Sequence, residues 1–502
     1  MIYIDGNSLS LKEIERVLYK DEQVSISPKA DKGIFDARNL VEKKLKEGNI
    51  VYGLNTGFGK LSETTISNEH VRDLQVNLIR SHACGVGEPA SEPVTRLMLL
   101  LRANALAKGY SGVRKELIQL LIDCLNKGVH PVIPSKGSLG ASGDLAPLSH
   151  LALVLIGEGE AYYHGRRYPG LVALQKAGLN PIKLEAKEGL ALINGTQAMA
   201  ATGVIAYLEG KRLAEYADGI ASLTLEGLRG VLDPFLPLTH EVRPFREQQD
   251  VAKRICAYVD GSGLMTRQGE VRIQDAYSLR CIPQVHGAIQ QVLSYVEDKL
   301  IIEINSATDN PLIFPEEDQV ISGGNFHGQP LAFAMDFLGI AISELSNISE
   351  RRVERLVNPQ LNDLPPFLSA NPGLESGLMI TQYVAASLVS ENKVLSHPSS
   401  VDSIPSSANQ EDHVSMGATA ARHALKILEN ARKVLAIEWI CAAQAADFRG
   451  ADKLAPNTRR LYDHLRKKVA YINSDRSLSA DIDKIEEELK FCRGSFLSQN
   501  LI

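Results

Sequence analysis

The sequence predicts a mainly α-helical protein, in which an N-terminal portion with glycine-rich loops precedes a bundle of long helices. Residues 331–358 lie between two prolines, and residues 411–449 contain no proline at all. Both runs are rich in Ala, Leu, Glu and Arg, which lose little side-chain entropy in a helix. Residues 194–229 and 372–395 have the same Ala- and Leu-rich character. Four such runs predict long helices that pack side by side as a bundle.

A shorter helix is predicted within residues 111–131. Leu117 and Cys124 recur at helical spacing and therefore share one apolar face. Ser111 can cap the start of this helix, and Gly128 is typical of its end.

The glycine-rich loops define the domain prediction. Short β-like pieces, such as GEAYYHGRRYPG and DQVISGGNFHG, are too few for an alternation of strands and helices. Glycine and proline concentrate instead between residues 128 and 147 and around residues 53–59. We expect residues 1–190 to form an N-terminal domain that carries these loops, and residues 191–502 to form the long-helix domain.

Composition indicates a soluble, folded protein of the cytoplasm. Of the 502 residues, 44% are hydrophobic and 23% charged, and the formal net charge is only -6. No basic run interleaved with aromatics is present to bind nucleic acid, and no stretch approaches the roughly 18 uninterrupted apolar residues of a membrane span. We therefore expect neither nucleic acid nor membrane as a partner. The cysteines are scattered without metal-ligand spacing, which favours reduced thiols: Cys84, Cys124, Cys256, Cys281, Cys441 and Cys492.

The segment SKGSLGASGDLAP at residues 135–147 is the main candidate for chemistry. Its simplest interpretation is a turn into a helix, with Ser142 or Asp144 as the N-cap. A hydrolase nucleophile elbow requires Gly-x-Ser-x-Gly, but here the second glycine comes one position early. A phosphate-binding loop at residues 53–60 is also excluded, because Leu61 stands where a metal-binding hydroxyl is required.

A further interpretation is that this segment cyclises internally. The backbone nitrogen of Gly143 would attack the carbonyl carbon of Ala141, and two waters would be lost, one of them from the Ser142 side chain. Gly143 has no Cβ to block the attack, Ala141 is small, and Ser142 carries a hydroxyl that can be eliminated. The product is an electrophile that would allow ammonia elimination from an amino acid without pyridoxal phosphate.

Eight ordered blocks carry a resemblance to a known family. GSLGASGDLAPLSH resembles the signature of the aromatic amino acid ammonia-lyase and aminomutase family, whose prosthetic group is 4-methylideneimidazol-5-one. The other blocks that are similar to this family span most of the chain: YGLNTGFGK, LQVNLIRSHACGVG, INGTQAM, QDAYSLRCIPQVHGA, EINSATDNP, GGNFHGQP and NQEDHVSMG. One such match is common by chance, whereas eight in order are not.

The resemblance implies roles for several residues. Tyr52 would be the base that takes the substrate β-proton, which requires a lowered phenol pKa because an ordinary phenol is mostly protonated at neutral pH. Arg280 would hold the substrate carboxylate with its planar fork. Tyr277 lies one helical turn before Arg280, so the two side chains can face the same site. The resemblance places Asn194, Gln274 and Tyr277 around the amino group and the modified turn. It places Phe326 in the pocket wall.

Two residues indicate the substrate. His82, preceded by Ser81, and Glu411, preceded by Gln410, both match the histidine-specific branch of the family. A carboxylate can accept from an imidazole N–H, whereas against a benzene ring it would be desolvated and unpaired. His82 can donate to or accept from the other ring nitrogen. The resemblance therefore implies conversion of L-histidine to trans-urocanate and ammonia, the first step of histidine degradation, by an electrophile that takes either the amine or the ring.

The resemblance also implies a homotetramer whose active sites draw on more than one subunit. No metal is expected, because no ligand spacing such as H-E-x-x-H is present. The nearest alternative is a tyrosine or phenylalanine ammonia-lyase, or an aminomutase that adds ammonia back at the β-carbon. An inactive helical scaffold is the alternative from a different class.

Overall fold

The structure, a computed structural model, describes residues 1–490. Within them helices dominate and strands are short, which confirms the mainly α prediction. The helices are α1 Leu11–Lys20, α2 Asp31–Lys46, α3 Val71–His82, α4 Glu92–Ala107, α5 Lys115–Lys127, α6 Leu145–Leu155, α7 Gly170–Lys176, α8 Glu188–Ile193, α9 Gln197–Gly227, α10 Pro237–Glu241, α11 Arg246–Val259, α12 Tyr277–Arg280, α13 Ile282–Glu303, α14 Gln329–Val357, α15 Met379–Leu395, α16 Gly417–Arg449, α17 Pro456–Arg466 and α18 Ser479–Leu489.

Short strands pair into small sheets, parallel between β1 and β2 and antiparallel elsewhere. The strand order is β1-β2, β3-β5, β4-β6-β7 and β8-β9. The two β-like pieces of the sequence form the β6–β7 hairpin and contribute β9, as predicted. The strands are β1 Ile2–Ile4, β2 Val24–Ile26, β3 Val86–Pro89, β4 Val129–Pro131, β5 Pro134–Lys136, β6 Glu160–Tyr163, β7 Arg166–Pro169, β8 Leu312–Phe314 and β9 Gln319–Ile321.

The predicted long runs are helices, although two of them start later than their composition suggests. α9 and α14 match their predicted runs within a few residues. α16 begins at Gly417 and not at residue 411, because Met416 has a φ of 55°, outside the right-handed helical region. α15 begins at Met379, after Gly373 with a φ of 100° and Gly377 with a φ of 55°.

The shorter helix α5 confirms its predicted face and end but not its start. Leu117 and Cys124 are fully buried, and Gly128 ends the helix in the left-handed conformation. The predicted Ser111 cap is wrong. Gly112 has a φ of 66°, which no right-handed helix allows, so the helix starts only at Lys115.

The described chain divides into two compact units, each made of separate stretches. The boundary predicted at residue 190 stays a prediction, because compactness does not test which portions fold separately. The first unit contains Met1–Ile205, Glu297–Asp336 and Pro398–Arg422, and the second contains residues 206–296, 337–397 and those from 423 onward.

The core of the first unit surrounds α4, which is buried along nearly its whole length and packs against α1, α2 and α5. Nearby, α3, α6 and α8 pack on one another, and His82, Asn194 and the turn at residues 141–143 lie at or next to their ends. One helix of the described chain, α14, is long and apolar enough to span a membrane, but 67% of its most apolar window is buried, as in a core helix. The described cysteines are free thiols, and Cys492 lies outside the described residues.

Candidate active site

Five of the predicted site residues line one cavity in the first unit. The cavity has a volume of about 790 Å³. Its wall is formed by the loop after residue 51, the last turns of α3, the start of α6 and the loop before α16. The predicted residues that line it are Tyr52, His82, Ser142, Asn194 and Glu411.

The turn at residues 141–143 packs its glycine directly on a second glycine. Gly143 has a φ of 72°, and a Cβ at this position would lie 2.2 Å from the carbonyl oxygen of Gly195. The following amide, that of Asp144, donates to the same oxygen at 2.7 Å. Only glycine therefore fits at residue 143, for reasons of both space and conformation.

Asp144 anchors the turn to α9 and does not cap its own helix. Although α6 begins at the next residue, the Asp144 side chain makes no cap hydrogen bond there, so the predicted N-cap role is wrong. Its carboxylate accepts from Ser138 Oγ at 2.8 Å and from the amide of Met199 at 2.8 Å. Burial raises the pKa of Asp144 to about 6, against the lowering effect of these donors. Its role depends on α9, so the local sequence did not reveal it.

Ser142 is held at two atoms and faces the cavity. Its hydroxyl donates to Glu411 Oε1 at 2.7 Å, and its carbonyl accepts from Asn194 Nδ2 at 2.8 Å. Ser406 fixes Glu411 by two backbone hydrogen bonds and by donating from Oγ to Oε2 at 2.9 Å. Asn194 Oδ1 is buried without a hydrogen-bond partner among the described residues. This oxygen can therefore accept from a ligand in the cavity.

The hydrogen bonds of His82 show which of its two ring nitrogens is left to bind a ligand. His82 Nδ1 lies 2.9 Å from the carbonyl oxygen of Leu78 and 2.9 Å from Ser81 Oγ, which itself donates to that carbonyl. A carbonyl only accepts, so Nδ1 carries the proton. Burial lowers the pKa of His82, while the Leu78 carbonyl and Glu411 oppose this effect. The neutral ring therefore presents a lone pair on Nε2.

The surroundings of Tyr52 in this unit act against the expected lowering of its pKa. The phenol oxygen accepts from the amide of Gly59 at 3.3 Å, and the ring meets Phe58 edge to face with centroids 6.4 Å apart. Burial raises the pKa of Tyr52, the Gly59 amide lowers it, and the negative charge of Glu411 raises it further. For the phenol to ionise near neutral pH, its pKa has to be lowered by more than the Gly59 amide provides.

The remaining predicted residues lie elsewhere. Phe326 lies in the first unit, in the turn before α14, and is not among the residues that line the cavity. Gln274, Tyr277 and Arg280 belong to the second unit. There the Arg280 guanidinium lies 4.6 Å from the Tyr277 ring centroid, so these two side chains share a face as their spacing predicts. Arg280 Nε donates to the carbonyl of Asp275 at 2.9 Å.

Among residues 1–490, no group of three or more His, Cys, Asp or Glu side chains is placed to hold a metal ion. The polar groups of the cavity are instead hydroxyls, amides, an imidazole, a carboxylate and the Lys60 ammonium. These groups can bind an amino acid and move protons.

Comparison with known proteins identifies relatives over nearly the whole chain. Residues 9–467 match the family model described as aromatic amino acid lyase. A histidine ammonia-lyase of Geobacillus sp. (strain WCH70) is 62% identical over 501 residues, which cover 100% of this chain and 99% of that protein. The solved structure of histidine ammonia-lyase from Trypanosoma cruzi is similar with a TM-score of 0.91 and 43% identity, covering 97% and 93% of the two chains. Tyrosine aminomutase from Streptomyces globisporus gives a TM-score of 0.94 and 38% identity, covering 97% and 96%.

Proposed function

The chain belongs to the aromatic amino acid lyase family, and from this premise we propose that it removes ammonia non-oxidatively from L-histidine to give trans-urocanate, the first step of histidine degradation. The observation that carries the choice of substrate is that His82 and Glu411 line the same cavity as Ser142. The full-length similarity to proteins named histidine ammonia-lyase supports the same choice.

The turn of Ala141, Ser142 and Gly143 fits the prosthetic group of the family. Gly143 approaches Gly195 more closely than any Cβ allows, and Ser142 Oγ and carbonyl are both held by cavity residues. We propose that 4-methylideneimidazol-5-one forms from these three residues. When present, this group supplies the electrophile that the elimination of an amino group requires.

The cavity presents two hydrogen-bond acceptors to the substrate ring. His82 Nε2 accepts from one ring N–H, because its other nitrogen already donates to Leu78. The Glu411 carboxylate faces the ring and stabilises positive charge on it. A phenyl ring has no N–H, so it would leave His82 Nε2 desolvated and unpaired, at a cost of about 1–3 kcal/mol, and it would desolvate the Glu411 charge without compensating it. The arrangement therefore favours imidazole over the rings of phenylalanine and tyrosine.

The other proposed roles concern the amino acid backbone and its β-proton. Asn194 Oδ1, which is buried without a partner among the described residues, accepts from the substrate amino group. Arg280 binds the carboxylate, and Tyr52 removes the β-proton. Gln274 and Tyr277 are proposed to contact the substrate amino group and the modified turn. Phe326 is proposed to form part of the pocket wall.

The raised pKa of Tyr52 supports the proposal of a homotetramer with shared sites, because positive charge near the phenol would lower that pKa. We propose that a neighbouring subunit supplies positive charge near the phenol through Arg280. Exposed apolar side chains on α15 support an interface: Ile380, Tyr383 and Val384 are 54, 61 and 39% exposed. Mixing Tyr52→Phe with Arg280→Lys protein should restore part of the activity in reassembled tetramers. No recovery in verified mixed tetramers would contradict the sharing. Location in the cytoplasm stays a prediction.

The test of the proposed function offers histidine, tyrosine and phenylalanine separately to the purified full-length protein. We expect ultraviolet absorption of urocanate and an equal amount of ammonia from histidine alone. The matched variant Glu411→Gln keeps the size of the side chain and removes its charge, so it should lose most of the activity on histidine. Turnover of only tyrosine or phenylalanine, or a β-amino acid product, would overturn the proposal.

A further inference from the structure

We infer that Arg102 is a positioning residue for the cyclisation of the turn at residues 141–143, because its guanidinium holds the peptide against which Gly143 packs. The inference rests on the proposed function, since it concerns how the proposed electrophile is made. Arg102 lies on α4, outside the cavity, and touches none of the reacting atoms.

Arg102 joins the end of one helix to the beginning of another. Its side chain is fully buried. Nη1 donates to Gln197 Oε1 at 2.5 Å, and Nη2 donates to the carbonyl of Ala191. Ala191 lies in the last turn of α8, and Gln197 is the first residue of α9. The guanidinium therefore spans the connection that contains Asn194 and Gly195.

Gly195 lies between Arg102 and Gly143. A Cβ built on Gly195 would lie 2.3 Å from Arg102 Nη1 and 2.4 Å from Gln197 Oε1. On its other side, a Cβ on Gly143 would lie 2.2 Å from the Gly195 carbonyl oxygen. Three groups are thus in direct succession: the guanidinium, the Gly195 peptide and the Gly143 backbone. Displacement of the guanidinium would therefore remove the support behind the Gly195 peptide and the Gly143 backbone.

A second layer of buried groups fixes Arg102 and Gln197 in turn. Gln197 Nε2 donates to Thr308 Oγ1 at 2.8 Å. The next residue, Asp309, is paired with Lys187 at 2.6 Å, and both are almost completely buried. Burial lowers the pKa of Arg102 to about 10, and Asp309 opposes the effect, so the guanidinium stays protonated at neutral pH. Its charge and both of its Nη atoms are therefore available to hydrogen-bond the end of α8 and the start of α9.

Cyclisation makes this support necessary. The Gly143 nitrogen forms a bond to the Ala141 carbonyl carbon, and the Ala141 oxygen leaves as water with the hydrogens of the Gly143 and Ser142 nitrogens. A second water takes the Ser142 hydroxyl and the Ser142 Cα hydrogen. The attacking nitrogen has to stay close to the carbon, and small misplacements slow such reactions strongly. A peptide wall that cannot retreat behind Gly143 keeps it there.

The experiment measures the intact mass of purified full-length variants under denaturing conditions. Arg102→Lys keeps the charge but has a single terminal nitrogen in place of the planar guanidinium, so it cannot hold Ala191 and Gln197 together. The matched control is Arg352→Lys, because Arg352 is equally buried but lies in the second unit, paired with Glu438. Thermal unfolding followed by circular dichroism shows whether each variant is folded.

We expect wild-type and folded Arg352→Lys protein to be two waters lighter than their sequences. Folded Arg102→Lys protein should contain a population at full sequence mass, which a purely structural role would not produce. Fully dehydrated, folded Arg102→Lys protein would overturn the inference alone. If Arg102→Lys does not fold, Gln197→Leu decides in the same way, with full dehydration as the contradicting result. Wild-type protein at full mass would overturn both the inference and the proposed prosthetic group.

Discussion

The protein contains two buried polar regions that are built in opposite ways. In the second unit, Glu438 accepts from both Arg352 Nε, at 2.5 Å, and Nη2, at 2.9 Å, and from the hydroxyls of Thr224 and Ser349. This ion pair is completely buried between long helices. In the first unit, the turn around Ser142 is held mostly through main-chain groups.

The difference lies in which atoms are left without partners. In the ion network, charged and hydroxyl groups satisfy one another, and His286 continues it from Arg352 to Asp218. At the turn, Asn194 Oδ1 has no partner among the described residues. Saturated groups stabilise a fold or fix the register of its helices, whereas unsaturated groups are available for ligands. The saturated network around Glu438 therefore serves stability, whereas the turn around Ser142 is open to ligands, and this separation of roles is testable.

Gly143→Ala should have the largest effect on the chemistry. The added Cβ would meet the Gly195 carbonyl at 2.2 Å, and the φ of 72° disfavours any L side chain. We expect the folded variant to retain full sequence mass and its activity on histidine to fall by roughly 10⁴-fold or more, as when a covalent catalyst is removed. Intact mass and urocanate absorption measure both effects. A fully dehydrated and active variant would contradict the role of this close contact.

Arg352→Met should affect stability without affecting maturation. Removal of the guanidinium leaves Glu438 buried and unpaired, which costs about 3–5 kcal/mol of unfolding free energy. The double variant Arg352→Met with Glu438→Gln should recover part of this loss, because the remaining amide can still accept from Thr224. Denaturant unfolding measures the free energy, and intact mass checks the turn. Loss of the two-water mass difference in folded protein would break the proposed separation.

The fold followed from the sequence more completely than the site did. Proline-free runs of good helix formers were sufficient to predict the long helices, whereas the exact start of α16 depended on the positive φ of Met416. His82 and Glu411 were found because both lie in recognisable blocks. Arg102 and Asp144 were missed because their roles depend on distant backbone. Gly195 lay within the recognised INGTQAM block, but its close contact with Gly143 is visible only in the structure.

The pH dependence of ring binding should follow the protonation of His82. Burial lowers the His82 pKa below its ordinary value of about 6.5, so the ring is neutral at and above neutral pH. Protonation places a hydrogen on Nε2, which then repels the substrate N–H. The kcat/KM of wild type divided by that of His82→Gln, which cancels the substrate's own titration, should be constant above pH 6.5. It should fall at lower pH by up to about tenfold per unit. A ratio that rises towards low pH, or that already falls above pH 6.5, would contradict the acceptor role of Nε2.

Ser81→Ala should produce a smaller loss that is confined to the site. The variant removes one of the two oxygens that orient His82 Nδ1 and leaves the Leu78 carbonyl in place. We expect KM for histidine to rise about threefold to tenfold, the equivalent of one hydrogen bond, with kcat nearly unchanged. Ser222→Ala in the second unit is the matched control, because its buried hydroxyl also donates to a carbonyl of its own helix, at 2.8 Å. An equal rise in KM for both variants would show that the effect is not local.

Gly210→Ala should have the smallest effect and the opposite sign. Gly210 lies within α9 in the second unit, and an added Cβ would come no closer than 3.4 Å to Ile342 Cδ1. Alanine in a helix interior is more favourable than glycine by about 0.5–1 kcal/mol, so the free energy of unfolding should increase by that amount. Gly48→Ala is the contrasting variant. It also has free space, but its φ of 74° should cost about 1–2 kcal/mol. Denaturant unfolding compares the two, and destabilisation by Gly210→Ala would show that the long helices are packed as tightly as the turn.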